Sequence, residues 1–581
     1  MLSVFKKLSW FFKEQWLRYL LAVTALIIAS IIDVLPPKIV GMTIDEIQYQ
    51  QLTPERLTEI LLFYGMLIIG GYAIMFYWDY TLFGGAILLE KKIRTKLMRH
   101  FLKMTPAFYG RNRTGDLMAR ATNDLKAIMM TAGFGILTLV DSTIFMMLII
   151  GVMVFTINWK LTLAALIPLP IMAVLMNKYG KAIHKRFTKA QSAFSDLNND
   201  VLESIKGVRV IRAFVQEKQD QRRFGEKTED VFQKNVDVAK MDALFEPTIK
   251  ILVGLAYTIG LGYGSYLVAR NEITLGELVS FNVYLGMLIW PMFAAGELIN
   301  VMQRGNASLD RVYKIFSQKP DVKDPDLPKE VKLPEVIEYK NVSFRYPESD
   351  NWVIQHVNLN IHRGETIGIV GKTGAGKTTL FRQLLREYPA PEKGEIQING
   401  VPIQELSLDQ TRSWIGYVPQ EHILFSKTVR ENLLFGCGPK SDEEIKQVLD
   451  SASLTKDIEN LPEGLDTVVG ESGVTLSGGQ KQRVSLARAL LMDPEILILD
   501  DALSAVDGKT EAKIISHLKQ ERKGKTTLIA AHRLSAVEHA DQILVFENGI
   551  VVEHGTHEEL MKKNGWYKTQ YDIQKMEGGG E

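Results

Sequence analysis

The chain has 581 residues, 46% hydrophobic and 23% charged, enough for more than one domain. Its 68 Lys and Arg against 67 Asp and Glu leave a formal net charge of +1, so bulk charge offers nothing to a nucleic acid. A single cysteine, Cys437, excludes an intramolecular disulfide and a cysteine-rich zinc site.

This balanced average conceals a split, because the long apolar runs all precede about residue 300. The N-terminal "MLSVFKKLSWFFKEQWLRY" is charged and aromatic and shows no small-residue cleavage pattern. It runs into an apolar stretch of membrane length and reads as an uncleaved amphipathic approach helix. A helix needs roughly 20 mostly apolar residues to cross a bilayer. Six segments qualify: about Leu17–Val40, Ile60–Phe83, Phe134–Thr156, Leu161–Met176, Ile249–Ala269 and Leu278–Leu298. The fourth is short and contains Pro168 and Pro170, which leaves its ends undefined. A soluble helical core accounts for any one such run but poorly for six.

The connections alternate in length. "INWK" and "RNEIT" are short turns, whereas the segments after the second and fourth spans are long and charged. Between Glu90 and Lys126 there are ten Lys or Arg and three Asp or Glu, an excess that places this segment on the cytoplasmic side. Both termini of this multi-pass chain then fall in the cytoplasm. The stretch "RFTKAQSAFSDLNNDVLESIKGVRVIRAFVQEKQDQRRF" has helical periodicity and no proline, so the spans extend beyond the membrane. "TPAFYGRNRTGDLMARATND" carries turn chemistry and fits a short crosswise helix.

Charged residues at membrane depth face a cavity or a partner. Asp33 and Asp141 are the deepest candidates, with Asp79 also within a span, and Glu246 and Glu297 fit an interface equally well. Methionines such as Met66, Met75, Met146, Met147 and Met153 suit an adaptable wall, although packing explains any single one.

The Pro-, Asp- and Lys-rich "SQKPDVKDPDLPKEVKLPE" reads as a linker. The expected division is a membrane domain over residues 1–316, a linker over 317–336 and an α/β domain over 337–581, where short β-rich runs alternate with helices. In the last of these, "GETIGIVGKTGAGKTTL" satisfies G-x-x-x-x-G-K-[ST] between an apolar strand and a helix. Backbone amides from Gly371 through Lys372, Thr373, Gly374, Ala375 and Gly376 to Thr379 would wrap phosphates at a helix N-terminus. Lys377 would reach the β- and γ-phosphates of ATP and Thr378 would offer its hydroxyl to Mg2+. The apolar run of "LILDDALSAVD" ends at Asp500, the expected magnesium holder, followed directly by Asp501.

Further motifs give the chain a family likeness. "LSGGQ", Leu476 to Gln480, followed by "KQRVSLARAL", resembles the signature of ABC ATPases. Its Ser477, Gly478, Gly479 and Gln480 open a helix, which is itself an anion site. "YVPQ" with Gln420 is similar to the family's Q-loop, whose glutamine also approaches the metal. "SAVD", Ser504 to Asp507, resembles the D-loop, "AAHRLSAVEHAD" with His532 the switch histidine, and Tyr346 the aromatic that stacks on adenine. Membrane-domain text such as "PAFYGRNRTGDLMAR" and "GELVSFNVYLGMLIWPMFAAGELINVMQRGNASLDRV" extends the likeness over essentially the whole chain. The resemblance is to ABC exporter halves. It implies an all-α six-helix transmembrane domain of the type IV exporter kind, followed by an α/β P-loop nucleotide-binding domain. It also implies alternating access by a dimer that sandwiches two ATP molecules, each between the P-loop of one chain and the signature of the other. One chain then carries both anion sites because they serve different nucleotides.

One position departs from the pattern. In exporters of this type the residue after the magnesium Asp is usually Glu, acting on the attacking water, and here it is Asp501. The two acids have similar strength. Asp is shorter by one C–C bond, about 1.5 Å. A general base works within roughly 2.6–3.2 Å of its proton's donor. A displacement of about 1 Å costs on the order of a hundredfold in rate. ATP binding should be spared, because the remaining P-loop residues and Asp500 are intact.

The family contains heterodimers in which one site lacks the catalytic Glu and the other is complete, and this chain resembles the subunit with the impaired site. The resemblance then implies a second exporter half carrying the Glu, amphipathic drug-like substrates, contact with membrane lipids and no nucleic-acid partner. A fully active homodimer that tolerates Asp501 is the plain alternative. A homodimeric lipid or lipopolysaccharide flippase and an ATP-gated channel or regulator share parts of the pattern. A peptide exporter of the processing kind would need an N-terminal cysteine protease domain, and Cys437 lies in the nucleotide domain.

Overall fold

The computed structural model describes residues 2–347, 349–470 and 473–578. The chain divides into two compact units, Met1–His100 with Gly115–Ser317, and Phe101–Thr114 with Gln318–Glu581.

The first unit is helical. Among the described residues six helices are long and apolar enough to cross a membrane: α1 (Trp16–Gln48), α2 (Pro54–Leu102), α3 (Thr114–Ile157), α4 (Trp159–Lys206), α5 (Glu217–Ala269) and α6 (Leu275–Phe316). They are longer than the apolar spans because charged turns continue them. Two short helices, Leu2–Lys7 and Ser9–Glu14, precede α1 and bury Val4, Leu8 and Phe11. Within α4 the helix restarts at Pro168, where the missing N–H of a first-turn residue costs nothing.

Polar contacts fasten these helices to one another. Asp45 at the end of α1 accepts from the Thr274 hydroxyl (2.6 Å) and the Gly276 amide (2.7 Å), satisfying the start of α6. Further along α6, the Ser280 and Tyr284 hydroxyls donate to the Pro37 and Val34 carbonyls of α1 at 2.8 and 2.7 Å. Asp124 on α3 is buried and accepts from Ser308 Oγ (2.9 Å) and Arg311 Nε (2.9 Å) of α6. Of the intramembrane acids, Asp141 is buried and accepts from Trp290 Nε1 (2.8 Å), while Asp33 and Asp79 are exposed. Glu246 pairs with Lys250 (2.7 Å) and Glu297 with Arg304 (3.0 Å). Between α4 and α5 a short helix, Val208–Ala213, buries nothing, and Ile205, Val208, Val210, Phe214 and Val215 stand exposed around it.

The second unit contains two main sheets. A four-stranded antiparallel sheet, in the order β2-β1-β4-β5, is formed by β1 (Val336–Phe344), β2 (Ile354–His362), β4 (Lys393–Ile398) and β5 (Val401–Pro402). A six-stranded sheet in the order β12-β11-β3-β10-β9-β6 uses β3 (Thr366–Gly371), β6 (Ile415–Val418), β9 (Ile496–Asp500), β10 (Thr526–Ala530), β11 (Gln542–Glu547) and β12 (Ile550–Gly555). A two-stranded ribbon pairs β7 (Lys427–Thr428) with β8 (Val468–Val469). In the larger sheet β11, β3, β10, β9 and β6 run parallel, and only the edge strand β12 is reversed. The nearly continuous apolar burial of β3, β9 and β10 is what a parallel strand covered on both faces requires. Helix α7 (Lys377–Leu384) follows β3, α8 (Gly478–Leu491) precedes β9 and α9 (Gly508–Glu521) follows it. The crosswise segment forms a helix, Pro106–Arg111, and is tied to the start of the linker by Thr105 Oγ1 donating to Asp321 at 3.2 Å.

Candidate functional site

Four neighbouring parallel strands deliver the expected site residues at their carboxyl ends. The loop from Gly371 to Gly376 leaves the end of β3, Gln420 follows β6, Asp500 closes β9 with Asp501 directly after it, and His532 follows β10. An open α/β sheet gathers ligands outside these ends, because loops there are free of the hydrogen-bonded ladder. A cleft of about 310 Å³ lies among them, lined by Tyr346, Val353, residues 373–379, Gln420, Asp500, Asp501 and His532.

Gly376 has φ +104°, and a Cβ there would lie 2.6 Å from the Val353 carbonyl, so only glycine fits where the loop turns into α7. Lys377 is 8% exposed and its ammonium donates to the Gly371 (2.7 Å) and Lys372 (3.1 Å) carbonyls. Burial pushes this amine below its ordinary value, opposed by the Asp501 and Asp500 carboxylates. The Thr378 hydroxyl donates to Asp500 at 3.0 Å, and the Tyr417 hydroxyl donates to its other oxygen at 3.3 Å. Burial raises the Asp500 carboxyl, against both hydrogen bonds. Hydroxyl and carboxylate oxygens side by side suit a hard cation that completes its shell from phosphate and water. The Tyr346 hydroxyl pairs with Thr379 Oγ1 (2.8 Å), and its ring stands edge-on to Tyr388 with centroids 4.9 Å apart.

Asp501 has a left-handed backbone, φ +51°. Its N–H donates to the Ala530 carbonyl (2.9 Å), and its own carbonyl accepts from Gln482 Nε2 (3.1 Å) and Ser504 Oγ (3.0 Å). No group among the described residues hydrogen-bonds its carboxylate. The side chain therefore enters the cleft from a pinned backbone, and a missing methylene is not recovered by shifting the chain. His532 is exposed, and its carbonyl accepts from Gln574 Nε2 at 2.8 Å.

The signature residues do not line this cleft. Ser477 caps α8, accepting from the Gln480 amide (3.3 Å) while the Gln480 side chain accepts from the Ser477 amide (2.9 Å). Gln480 Nε2 also donates to Asp457 (3.0 Å), whose other oxygen pairs with Arg483 at 2.8 Å. Gly478 and Gly479 thus present a helix N-terminus away from the chain's own P-loop, where its partial positive charge is available to an anion. Asp507 of the D-loop segment caps α9 by accepting from the Thr510 amide (3.0 Å), and the Thr510 contacts hold its carboxyl below the usual range.

Sequence reasoning passed over Val353, Tyr417 and Gln482. Tyr417 sits three residues before Gln420 in a strand, and only the adjacency of β6 and β9 brings its hydroxyl to Asp500.

The arrangement can wrap phosphates in loop amides, hold a metal at Thr378 and Asp500, and set carboxylate, amide and imidazole groups around the terminal phosphate. The family model described as the ABC transporter transmembrane region matches residues 19–292, and the one described as ABC transporter matches residues 354–504. The chain is 58% identical, over the full length of both, to a Bacillus subtilis protein named a probable multidrug resistance ABC transporter ATP-binding/permease protein, YheI. It is 41% identical to the Escherichia coli multidrug resistance-like ATP-binding protein MdlA, covering 99% of this chain and 97% of that one. A solved bacterial Atm1-family ABC exporter with ATP bound shares the fold, with a TM-score of 0.76 at 24% identity, covering 96% of this chain and 98% of its own.

Membrane helices followed by this ATPase domain define an ATP-hydrolysing membrane transporter. The chain belongs to the ABC transporter family, as an exporter of the multidrug-resistance-like group that includes YheI and MdlA.

Proposed function

We propose that this chain is one half of a heterodimeric multidrug exporter in a bacterial plasma membrane, with both termini and the ATPase domain cytoplasmic. That is the arrangement of BmrC within BmrCD, which the sequence resembles. Residues 1–316 would form the transport domain and 337–581 the motor, joined by 317–336. The observation that carries the reading is Asp501: a short carboxylate, on a backbone held from three sides, where this type of exporter usually keeps Glu.

ATP would be held by the amides of residues 371–379, by Lys377 and by Tyr346 beside the adenine. Thr378, Gln420 and Asp500 would hold Mg2+, which when bound neutralises charge building on the β- and γ-phosphate oxygens. Gln420 and His532, which follow the two strands flanking β9, would meet the terminal phosphate from either side. Asp501 is the group placed to accept a proton from water, and its shortness makes that transfer slow. Ser477, Gly478, Gly479 and Gln480 would meet the nucleotide held by the partner, whose Glu completes a competent site. Differential binding of ATP to the closed arrangement then drives the alternation of access.

Relatives spanning the whole chain are named for drug resistance, which supports amphipathic drug-like cargo over the lipid alternative. The test is uptake of an amphipathic dye by inside-out vesicles, with and without a co-expressed second half. ATP-driven, vanadate-sensitive uptake only in the pair is expected. Equal uptake by this chain alone would overturn the heterodimer, and ATP-dependent leakage without accumulation would point to a gate.

A further inference from the structure

Gln482 is fully buried on α8, five residues beyond Ser477. Its amide nitrogen donates to the Asp501 carbonyl (3.1 Å) and its oxygen accepts from the Ala505 N–H (3.0 Å). Both ends of one buried amide are therefore spent on the segment that follows Asp500. A buried amide stripped of such partners costs stability, so the two bonds hold together as a unit. The same helix leans on that segment at its start. A Cβ on Gly479 would lie 2.8 Å from the Ala505 carbonyl, so the first turn of α8 rests on the D-loop backbone with no room for a side chain. On its other side, α8 is held by Asp457 through Gln480 and Arg483. No other side chain of α8 reaches Asp501 or Ala505 by a hydrogen bond among the described residues.

We propose that Gln482 is a positioning residue that makes Asp501 and the D-loop move as one body with the signature turn of α8. The base position in this chain's own ATP cleft and the anion site it offers elsewhere are then set by one side chain. The idea rests on the reading above, in which the signature serves the partner's nucleotide. Gln482 does not line this chain's ATP cleft, so it acts there through Asp501, and on the anion site through Ser477–Gly479. A shift of α8 caused by nucleotide at its tip changes the placement of Asp501, and a shift at Asp501 returns to the tip.

The test uses the full-length transporter, purified from membranes through a tag on this chain with whatever half accompanies it. Gln482→Met keeps the length and removes both bonds. Turnover of MgATP should fall about tenfold or more, because the signature turn offered to the partner's nucleotide loses its placement, while KM for ATP stays within about twofold because the P-loop, Tyr346 and the metal holders keep theirs. Asp501→Glu should raise turnover in the parent and fail to do so in the Gln482→Met background, a non-additivity that a merely structural residue would not produce. Gln482→Glu keeps the acceptor facing Ala505 and is held to the same criteria if the methionine variant does not fold. The role is overturned if turnover stays within about twofold of the parent, if the loss is instead a rise in KM, or if the Asp501→Glu gain survives without Gln482. Absence of any Asp501→Glu gain in the parent would sink the impaired-base reading instead, and Gln482 is then judged by turnover and KM of its own variant.

Discussion

At the scale of single residues, the backbone of Asp501 shapes what its variants will do. A left-handed φ is tolerated by Asp and Asn better than by longer side chains. Asp501→Asn should therefore fold normally and, on the proposed reading of this site as a poor hydrolyser, hardly lower the total ATPase of the assembled transporter. Asp501→Glu should raise hydrolysis at this chain's site while lowering thermal stability by about 0.5–1 kcal/mol, since reach is gained at the expense of backbone strain. Site-resolved nucleotide trapping with vanadate separates the two sites, and loss of nearly all ATPase in Asp501→Asn with an intact partner would refute the assignment. Ser477→Ala should do the opposite of a P-loop change and damage the partner's site more than this one, read by the same trapping.

Residues whose role depends on chain order alone were legible beforehand. The P-loop and Asp500 follow from a strand, a loop and their fixed spacing, whereas Asp501 stands out only against the Glu usual in the exporters this chain resembles. Gln482 was not legible, because its function is a bond to a backbone carbonyl, and no residue type announces which carbonyl a fold will bring near. Tyr417 was hidden for the same reason, lying on a strand whose neighbour in the sheet comes about eighty residues later in the chain.

At the scale of elements, the apolar runs located the six membrane helices but not their lengths. Hydropathy marks where lipid must be met, and it is silent where a helix continues into water on charged turns. The third run begins at Phe134, whereas α3 begins at Thr114 and brings Asp124 against α6. That contact gives a test. Arg311→Met should leave the Asp124 carboxylate with Ser308 as its hydrogen-bond partner, and because the arginine is half exposed the helical unit should lose about 1–2 kcal/mol in thermal unfolding. At the other end of α6, Asp45→Ala removes two hydrogen bonds to a carboxylate and leaves the Gly276 N–H without its partner. A loss of about 2 kcal/mol is expected, with ATP affinity of the motor unchanged.

At the scale of the whole molecule, hydrolysis and binding separate cleanly. MgATP at about 100 times its Kd should stabilise the nucleotide domain by about 2.7 kcal/mol, visible as a raised unfolding temperature. The shift should persist in Asp501→Asn and vanish in Lys377→Ala, which removes the one buried ammonium of the loop. A shift that survives in Lys377→Ala would mean that nucleotide is held elsewhere.

The exposed cluster around Val208–Ala213 carries a consequence for the cell. Phe214 and Val215 are 71% and 79% exposed beside a helix that buries nothing of its own. Contiguous apolar surface of this kind is what chaperones and proteases recognise on proteins awaiting assembly. A copy left without whatever covers this cluster in the assembled transporter would be cleared, so the abundance of this chain would follow its assembly rather than its own rate of synthesis.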